Sequence, residues 1–406
     1  MERFALSRMK EWKENENRKP LIIRGARQVG KTWIMKTFGQ QYFEKTAYVN
    51  FDNNARMKQV FEGDLDIERL VLSISAETGV SIEAENTLII FDEVQEVPKA
   101  LTSLKYFYEN APQYAIVAAE SLLGVALHQG TSFPVGKVDF LDLYPLNFRE
   151  FLCAMGEKQF VSMLDSCDTQ MVTVFKTKYI ERLREYYFVG GMPEVVKDFS
   201  EKKDYNRVRA IQKNLINYYQ QDFSKHAEIK LVPRLNLVWN SIPMQLAKEN
   251  KKYIYGQVRE GSRAKDFELA IQVQRIQKPD LPLKAYIDFD AFKLFLVDIG
   301  LLIAMTDLDA KVIIEGNKIF TEFKGALTEQ YILQQLISDV GVIPYYYSTQ
   351  NSKGEIDFLV QGKTSVIPIE VKAEENLKAK SLKAFCEKYQ PSYAVRTSMS
   401  DYREQD

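Results

Sequence analysis

The sequence predicts an α/β fold that opens with a parallel sheet covered by helices on both faces. Three observations carry this expectation. Residues 25–32 read Gly25-Ala26-Arg27-Gln28-Val29-Gly30-Lys31-Thr32, a complete Walker A phosphate loop, directly after the apolar run Pro20-Leu21-Ile22-Ile23-Arg24. Residues 87–93 form a second apolar run, Thr87-Leu88-Ile89-Ile90-Phe91, that ends in Asp92 and Glu93. Apolar runs also recur at Leu21 to Arg24, Ala47 to Phe51, Leu88 to Asp92, Tyr114 to Ala119 and Val138 to Leu143, with helical stretches between them. Strand and helix in alternation is the pattern of a doubly covered parallel sheet.

Each element has a chemical reading. The first strand delivers a glycine-containing loop, and a helix beginning near Lys31 offers its N-terminal N–H groups to phosphate oxygens. The amides of Gly25, Ala26, Arg27, Gln28, Val29 and Gly30 would cradle the phosphates, Lys31 would reach the β and γ oxygens, and the Thr32 hydroxyl would ligate magnesium. A continuous apolar run such as 87–91 fits a strand buried on both faces, and ligands bind beyond the carboxyl ends of such strands. There Asp92 would hold magnesium through water and Glu93 would act as general base. ATP and Mg2+ are therefore the expected ligands.

From about 144 to 225 the text turns helical, and Gly190-Gly191-Met192-Pro193 ends one helix and redirects the chain. Between about 226 and 300 the text is mixed, with the basic stretches Glu249-Asn250-Lys251-Lys252 and Arg259-Glu260-Gly261-Ser262-Arg263-Ala264-Lys265. These read as a solvated helical face or as a helix-turn-helix or winged-helix module, with DNA as a possible partner. Residues 315–406 return to alternating helix and strand.

A chain of 406 residues exceeds what one hydrophobic core usually supports, and a net charge of −1 exerts no global pull on nucleic acid. No stretch of about 18 consecutive apolar residues occurs, so no membrane partner and a cytoplasmic location are expected. Cys153, Cys167 and Cys386 are scattered singly, and His128 and His226 accompany no nucleophile or ligand cluster. Zinc, disulfide and histidine-based chemistries are thereby disfavoured.

In the last segment, Glu355-Ile356-Asp357-Phe358-Leu359-Val360 precedes Gly362 and then Ile367-Pro368-Ile369-Glu370-Val371-Lys372. Two hairpin-connected strands are predicted. Period-two geometry puts Glu370 and Lys372 on one face, and Asp357 joins them if the strands pair.

Together these landmarks resemble the AAA-type, archaeal-ATPase-like proteins of bacteria and archaea whose C-terminal half is a domain of unknown function. The resemblance extends through Ser121-Leu122-Leu123-Gly124-Val125, Phe133-Pro134-Val135-Gly136-Lys137-Val138, Tyr144-Pro145-Leu146-Asn147-Phe148-Arg149-Glu150-Phe151, Gly190-Gly191-Met192-Pro193-Glu194 and Asp298-Ile299-Gly300-Leu301-Leu302. It implies an AAA-type P-loop core over 1–143, a helical lid over 144–225, a winged-helix-like module over 226–314 and a nuclease-like α/β domain over 315–406. The C-terminal constellation resembles a PD-(D/E)xK nuclease core. That likeness implies magnesium on Asp357 and Glu370, a third acid from Glu329 on the helix predicted over 325–336, and Lys372 activating water.

The chain departs from the family pattern in two places, and a further absence is legible without the family. Glu120 precedes Ser121 where a glycine is usual, at a position that reads the γ-phosphate, and a carboxylate there opposes the triphosphate charge. Between Gln272 and Lys278 the middle module looks shortened. No arginine occurs between Glu93 and Phe148, Arg149 being the first, so a ring-forming motor with an arginine finger is disfavoured. The functional expectation is a slow magnesium-dependent ATPase acting as a molecular switch. The alternatives are an ATP-regulated, metal-dependent nuclease with Asp357, Glu370 and Lys372 as its catalytic set, and a nucleic-acid-binding module that uses nucleotide as a structural ligand.

Overall fold

The computed structural model describes residues 1–121, 134–226, 232–247, 270–315, 318–349, 354–373 and 380–405. It divides into two compact units, residues 2–144 and the chain from 145 to the C-terminus. The basic stretches at 249–252 and 259–265, His128 and residues 122–125 lie outside the described residues.

The first unit holds five parallel strands: β1 Leu21–Gly25, β2 Lys45–Asn50, β3 Thr87–Asp92, β4 Ala115–Ser121 and β5 Asp139–Asp142. Their order is β2-β3-β4-β1-β5, so β4 separates the strand leading into the phosphate loop from the one ending in Asp92. Every residue of β3 is buried, as its unbroken apolar run requires of a central parallel strand. On one face Phe51, Phe61 and Phe91 meet edge to face at centroid distances of 5.3 to 5.6 Å, with Ile74, Leu104 and Phe107 packed around them. This is the P-loop AAA-type α/β fold.

The second unit begins as helices, among them Phe148–Ala154, Lys176–Val189, Pro193–Lys202 and Tyr205–His226. Its sheet has six strands: β6 Ala270–Ile276, β7 Ile287–Leu296, β8 Tyr345–Ser348, β9 Glu355–Gln361, β10 Val366–Val371 and β11 Val395–Thr397. The order is β11-β10-β9-β8-β6-β7, with β6/β8 and β10/β11 parallel and the other pairs antiparallel. The hairpin predicted around Gly362 is present, with Val366 opposite Gln361 and Ile369 opposite Phe358. The division expected at 314/315 needs correction. Strands β6 and β7, assigned to a separate middle module, belong to the same sheet as the C-terminal strands, because Arg275 and Ile276 pair with Tyr346 and Tyr347.

Candidate functional site

The phosphate loop leaves β1 at Gly25, and its compactness has a steric cause. A Cβ on Gly25 would lie 2.2 Å from the Leu143 carbonyl oxygen, so the backbone after β5 can approach only a glycine. Gln28 and Gly30 take left-handed backbone (φ 64° and 96°), which turns the chain into the helix Lys31–Tyr42. Ala26 and Val29 are buried and anchor the loop, and the Val29 carbonyl accepts from Arg3 Nη1 at 3.0 Å. Arg3 Nη2 also donates to Tyr144 O at 2.6 Å. This brace is invisible in the motif, since Arg3 lies outside it.

Lys31 is buried and its ammonium donates to the carbonyls of Gly25 at 2.7 Å and Ala26 at 2.9 Å. Thr32 Oγ1 donates to Asp92 Oδ2 at 2.7 Å, which unites the two motifs across 60 residues of sequence. Tyr48 on β2 donates its hydroxyl to the same oxygen at 2.8 Å. Burial, and next the bond to Asp92, push the Tyr48 phenol above its ordinary value, so it serves as a fixed donor. Tyr48 was not singled out in the sequence. Its position beside Asn50 at the end of an alternating strand was the signal. Glu93 follows Asp92 in left-handed backbone (φ 52°), its N–H donates to Asp92 Oδ1 at 3.1 Å, and its carboxylate accepts from Gln95.

Glu120 differs from expectation in its charge. It is the last residue but one of β4, opposite Arg24, is fully buried, and burial pushes its carboxyl up to about 7 against the opposing pull of Arg24 and Lys31. A carboxyl that holds its proton towards neutrality opposes phosphate charge less than a full carboxylate does.

In the second unit, Glu329, Asp357, Glu370 and Lys372 do come together, with two residues that sequence reasoning missed. Glu329 lies on the helix Lys318–Ser338. Lys372 Nζ donates to Glu370 Oε1 at 2.6 Å, as same-face placement requires. Asp357 Oδ2 accepts from the Val371 N–H at 2.7 Å. Burial, then the neighbouring Glu329, push Asp357 up to about 8, with Lys293 opposing. The missed residues are Lys293 on β7 and Glu355 on β9. Lys293 Nζ lies 2.5 Å from Glu355 Oε1 and 3.9 Å from Glu329 Oε2. Burial by itself would lower the Lys293 ammonium, yet Glu329, Glu355 and Asp357 outweigh it and hold the group above the usual lysine value. A lysine inside the apolar text Phe292-Lys293-Leu294-Phe295-Leu296 was the available signal. Among the described residues no group of three or more His, Cys, Asp or Glu is arranged to hold a metal ion.

The glycine-rich motifs of this unit have a different purpose. Asp298 is buried, and its carboxylate accepts from Gly191 N at 2.6 Å, Leu301 N at 3.0 Å and Gln334 Nε2 at 3.3 Å. Tyr186 OH donates to Leu146 O at 2.6 Å beside it. Gly190 ends the helix Lys176–Val189 at φ 75°, and Pro193 starts the next one. The Gly190-Gly191 and Asp298-Ile299-Gly300 segments thus form one buried junction, which is structural. Arg149 likewise bonds Asp339 at 3.0 Å and also Asp165.

Residues 17–152 match the family model described as "AAA domain". Residues 180–312 match "Domain of unknown function (DUF8612)" and residues 324–406 match "Domain of unknown function (DUF4143)". Comparison with curated proteins finds no match. Among solved structures, the Walker-type ATPase of Pyrococcus abyssi is similar at 14% identity, over 75% of this chain and 95% of that one, with a TM-score of 0.42. The Aeropyrum pernix ORC1 protein, solved in complex with DNA, aligns at 12% identity over 74% and 91% of the two chains, TM-score 0.28. Cdc6p of Pyrobaculum aerophilum aligns at 9% over 63% and 77%, TM-score 0.27. Likenesses this distant carry no argument about activity or partners. No helix among the described residues is long and apolar enough to cross a membrane.

Proposed function

We propose that the chain binds ATP with magnesium, hydrolyses it slowly, and uses the bound state as a molecular switch in the cytoplasm. The observation that carries this reading is the direct contact of Thr32 Oγ1 with Asp92 Oδ2, 2.7 Å apart, at the start of the helix that follows the phosphate loop. The donor set fits the ion: a hydroxyl and a carboxylate are the hard oxygen ligands that Mg2+ takes alongside phosphate and water. When bound, magnesium would supply positive charge against the phosphate oxygens.

The chain's own residues do the remainder. Lys31, held over the loop by the Gly25 and Ala26 carbonyls, needs only a side-chain rotation to give its N–H groups to phosphate. The loop amides and the N-terminus of Lys31–Tyr42 bind the same oxygens. Glu93, beside Asp92, would accept a proton from an attacking water. Tyr48 and Thr32 keep the Asp92 carboxylate oriented. Glu120 favours slow turnover, because any charge it carries opposes charge building up on the γ-phosphate.

Residues 1–143 are the proposed nucleotide core and 144–225 the proposed helical segment after it. The test is turnover of radiolabelled ATP by the wild type, Lys31→Ala and Glu93→Gln. Turnover that survives in both variants removes the reading.

A further inference from the structure

We propose that Lys293 is the resident cation of the C-terminal acid cluster, and that this cluster takes no divalent metal. The inference stands apart from the ATP reading, since it concerns residues of the second unit only.

The side chain of Lys293 is fully buried, on the strand β7 at the edge of the six-stranded sheet. It reaches the place where three carboxylates converge. Its ammonium is 2.5 Å from Glu355 Oε1 and 3.9 Å from Glu329 Oε2, and it stands 4.9 Å from the centroid of the Tyr346 ring. The remaining acids are also engaged: Glu370 Oε1 accepts from Lys372 at 2.6 Å, and Asp357 Oδ2 accepts from the Val371 N–H at 2.7 Å.

A magnesium or manganese ion needs carboxylate oxygens at about 2.0 to 2.2 Å, in a shell of six. Glu355 spends its oxygen on the ammonium. A divalent ion between Glu329 and Asp357 would sit within a few ångströms of a cation that cannot retreat to water, and like charges at such range repel strongly in a buried site. Deprotonating Lys293 would relieve the clash, but the three surrounding carboxylates oppose that loss. The lysine thus supplies the positive charge that the likeness to a nuclease core assigns to metal. Such a cluster holds β7, β9 and the helix Lys318–Ser338 together, and it lacks the means to activate a phosphodiester through a metal.

The test is manganese binding to the full chain, free of nucleotide, followed by the electron paramagnetic resonance of unbound Mn2+. Wild type and Asp357→Asn should bind the same number of manganese ions, any weak binding elsewhere being common to both. Lys293→Met, which keeps the length and removes the charge, should gain one saturable ion per chain, and Lys293→Met/Glu329→Gln should lose it. A manganese ion on the wild type that Asp357→Asn or Glu370→Gln removes would overturn the proposal. So would a Lys293→Met protein with native circular dichroism that gains no ion. If Lys293→Met does not fold, the comparison of wild type with Asp357→Asn decides alone.

Discussion

Replacing Gly300 with alanine is the sharpest probe of the buried junction in the second unit, because the same change at Gly325 should have the opposite sign. Both glycines lie in helices, Ile299–Met305 and Lys318–Ser338, where alanine is intrinsically favoured by up to about 1 kcal/mol. Gly325 has nothing within 4 Å of a new Cβ, so Gly325→Ala should stabilise by roughly 0.5 to 1 kcal/mol. At Gly300 the Cβ would lie 2.6 Å from Val189 O and 2.7 Å from both Gly190 N and Gly190 Cα. These are backbone atoms with no rotamer to escape into, and overpacking of this kind costs about 1 to 3 kcal/mol. Displacing Gly190 would also strain the bond from Gly191 N to Asp298 Oδ2, and a bond to a charged group contributes about 1.5 to 3 kcal/mol. After subtracting the helix gain, Gly300→Ala should destabilise by roughly 1.5 to 5 kcal/mol. Amide exchange of peptides spanning 176–202 and 293–305 reads this directly, and about 2 kcal/mol is roughly a thirtyfold loss of protection. Unchanged or slower exchange in Gly300→Ala would refute the steric reasoning.

Lys31→Ala should weaken ATP–magnesium binding by about one to two orders of magnitude, since charge-assisted contacts contribute about 1.5 to 3 kcal/mol, whereas Glu93→Gln should keep affinity and lose turnover; calorimetry and steady-state hydrolysis separate the two. Glu120 carries a pH signature. Its folded value of about 7 lies above the ordinary 4.5, so the folded state holds the proton more tightly, and the stability this confers is full below about 4.5 and lost as pH rises towards 7. The loss is on the order of 3 kcal/mol, and urea midpoints measured from pH 4 to 8 should show that slope in wild type and a flatter line in Glu120→Gln. Tyr48→Phe should lower stability by about 1 to 2 kcal/mol, because Asp92 loses a buried donor at 2.8 Å; an unchanged urea midpoint would mean that water replaces the phenol.

Features that depend on neighbours along the chain are legible from the residues alone. The phosphate loop is legible because its eight residues are consecutive in the chain, and the first sheet because strands buried on both faces need unbroken apolar runs such as 87–91. The C-terminal hairpin and the shared face of Glu370 and Lys372 follow from period-two geometry. Tertiary structure decided what depends on which distant segments meet. Gly191 bonds Asp298 across 107 residues, so the segment read locally as a helix break is also one side of a packing junction. Pairing of β6 with β8 merged two expected modules into one sheet. The charge of Glu120 depends on burial, which its own neighbours in sequence do not specify. Lys293 shows the reason most plainly: its partners Glu329 and Glu355 come from a helix and a strand brought to it only by long-range pairing, and no local window contains that register.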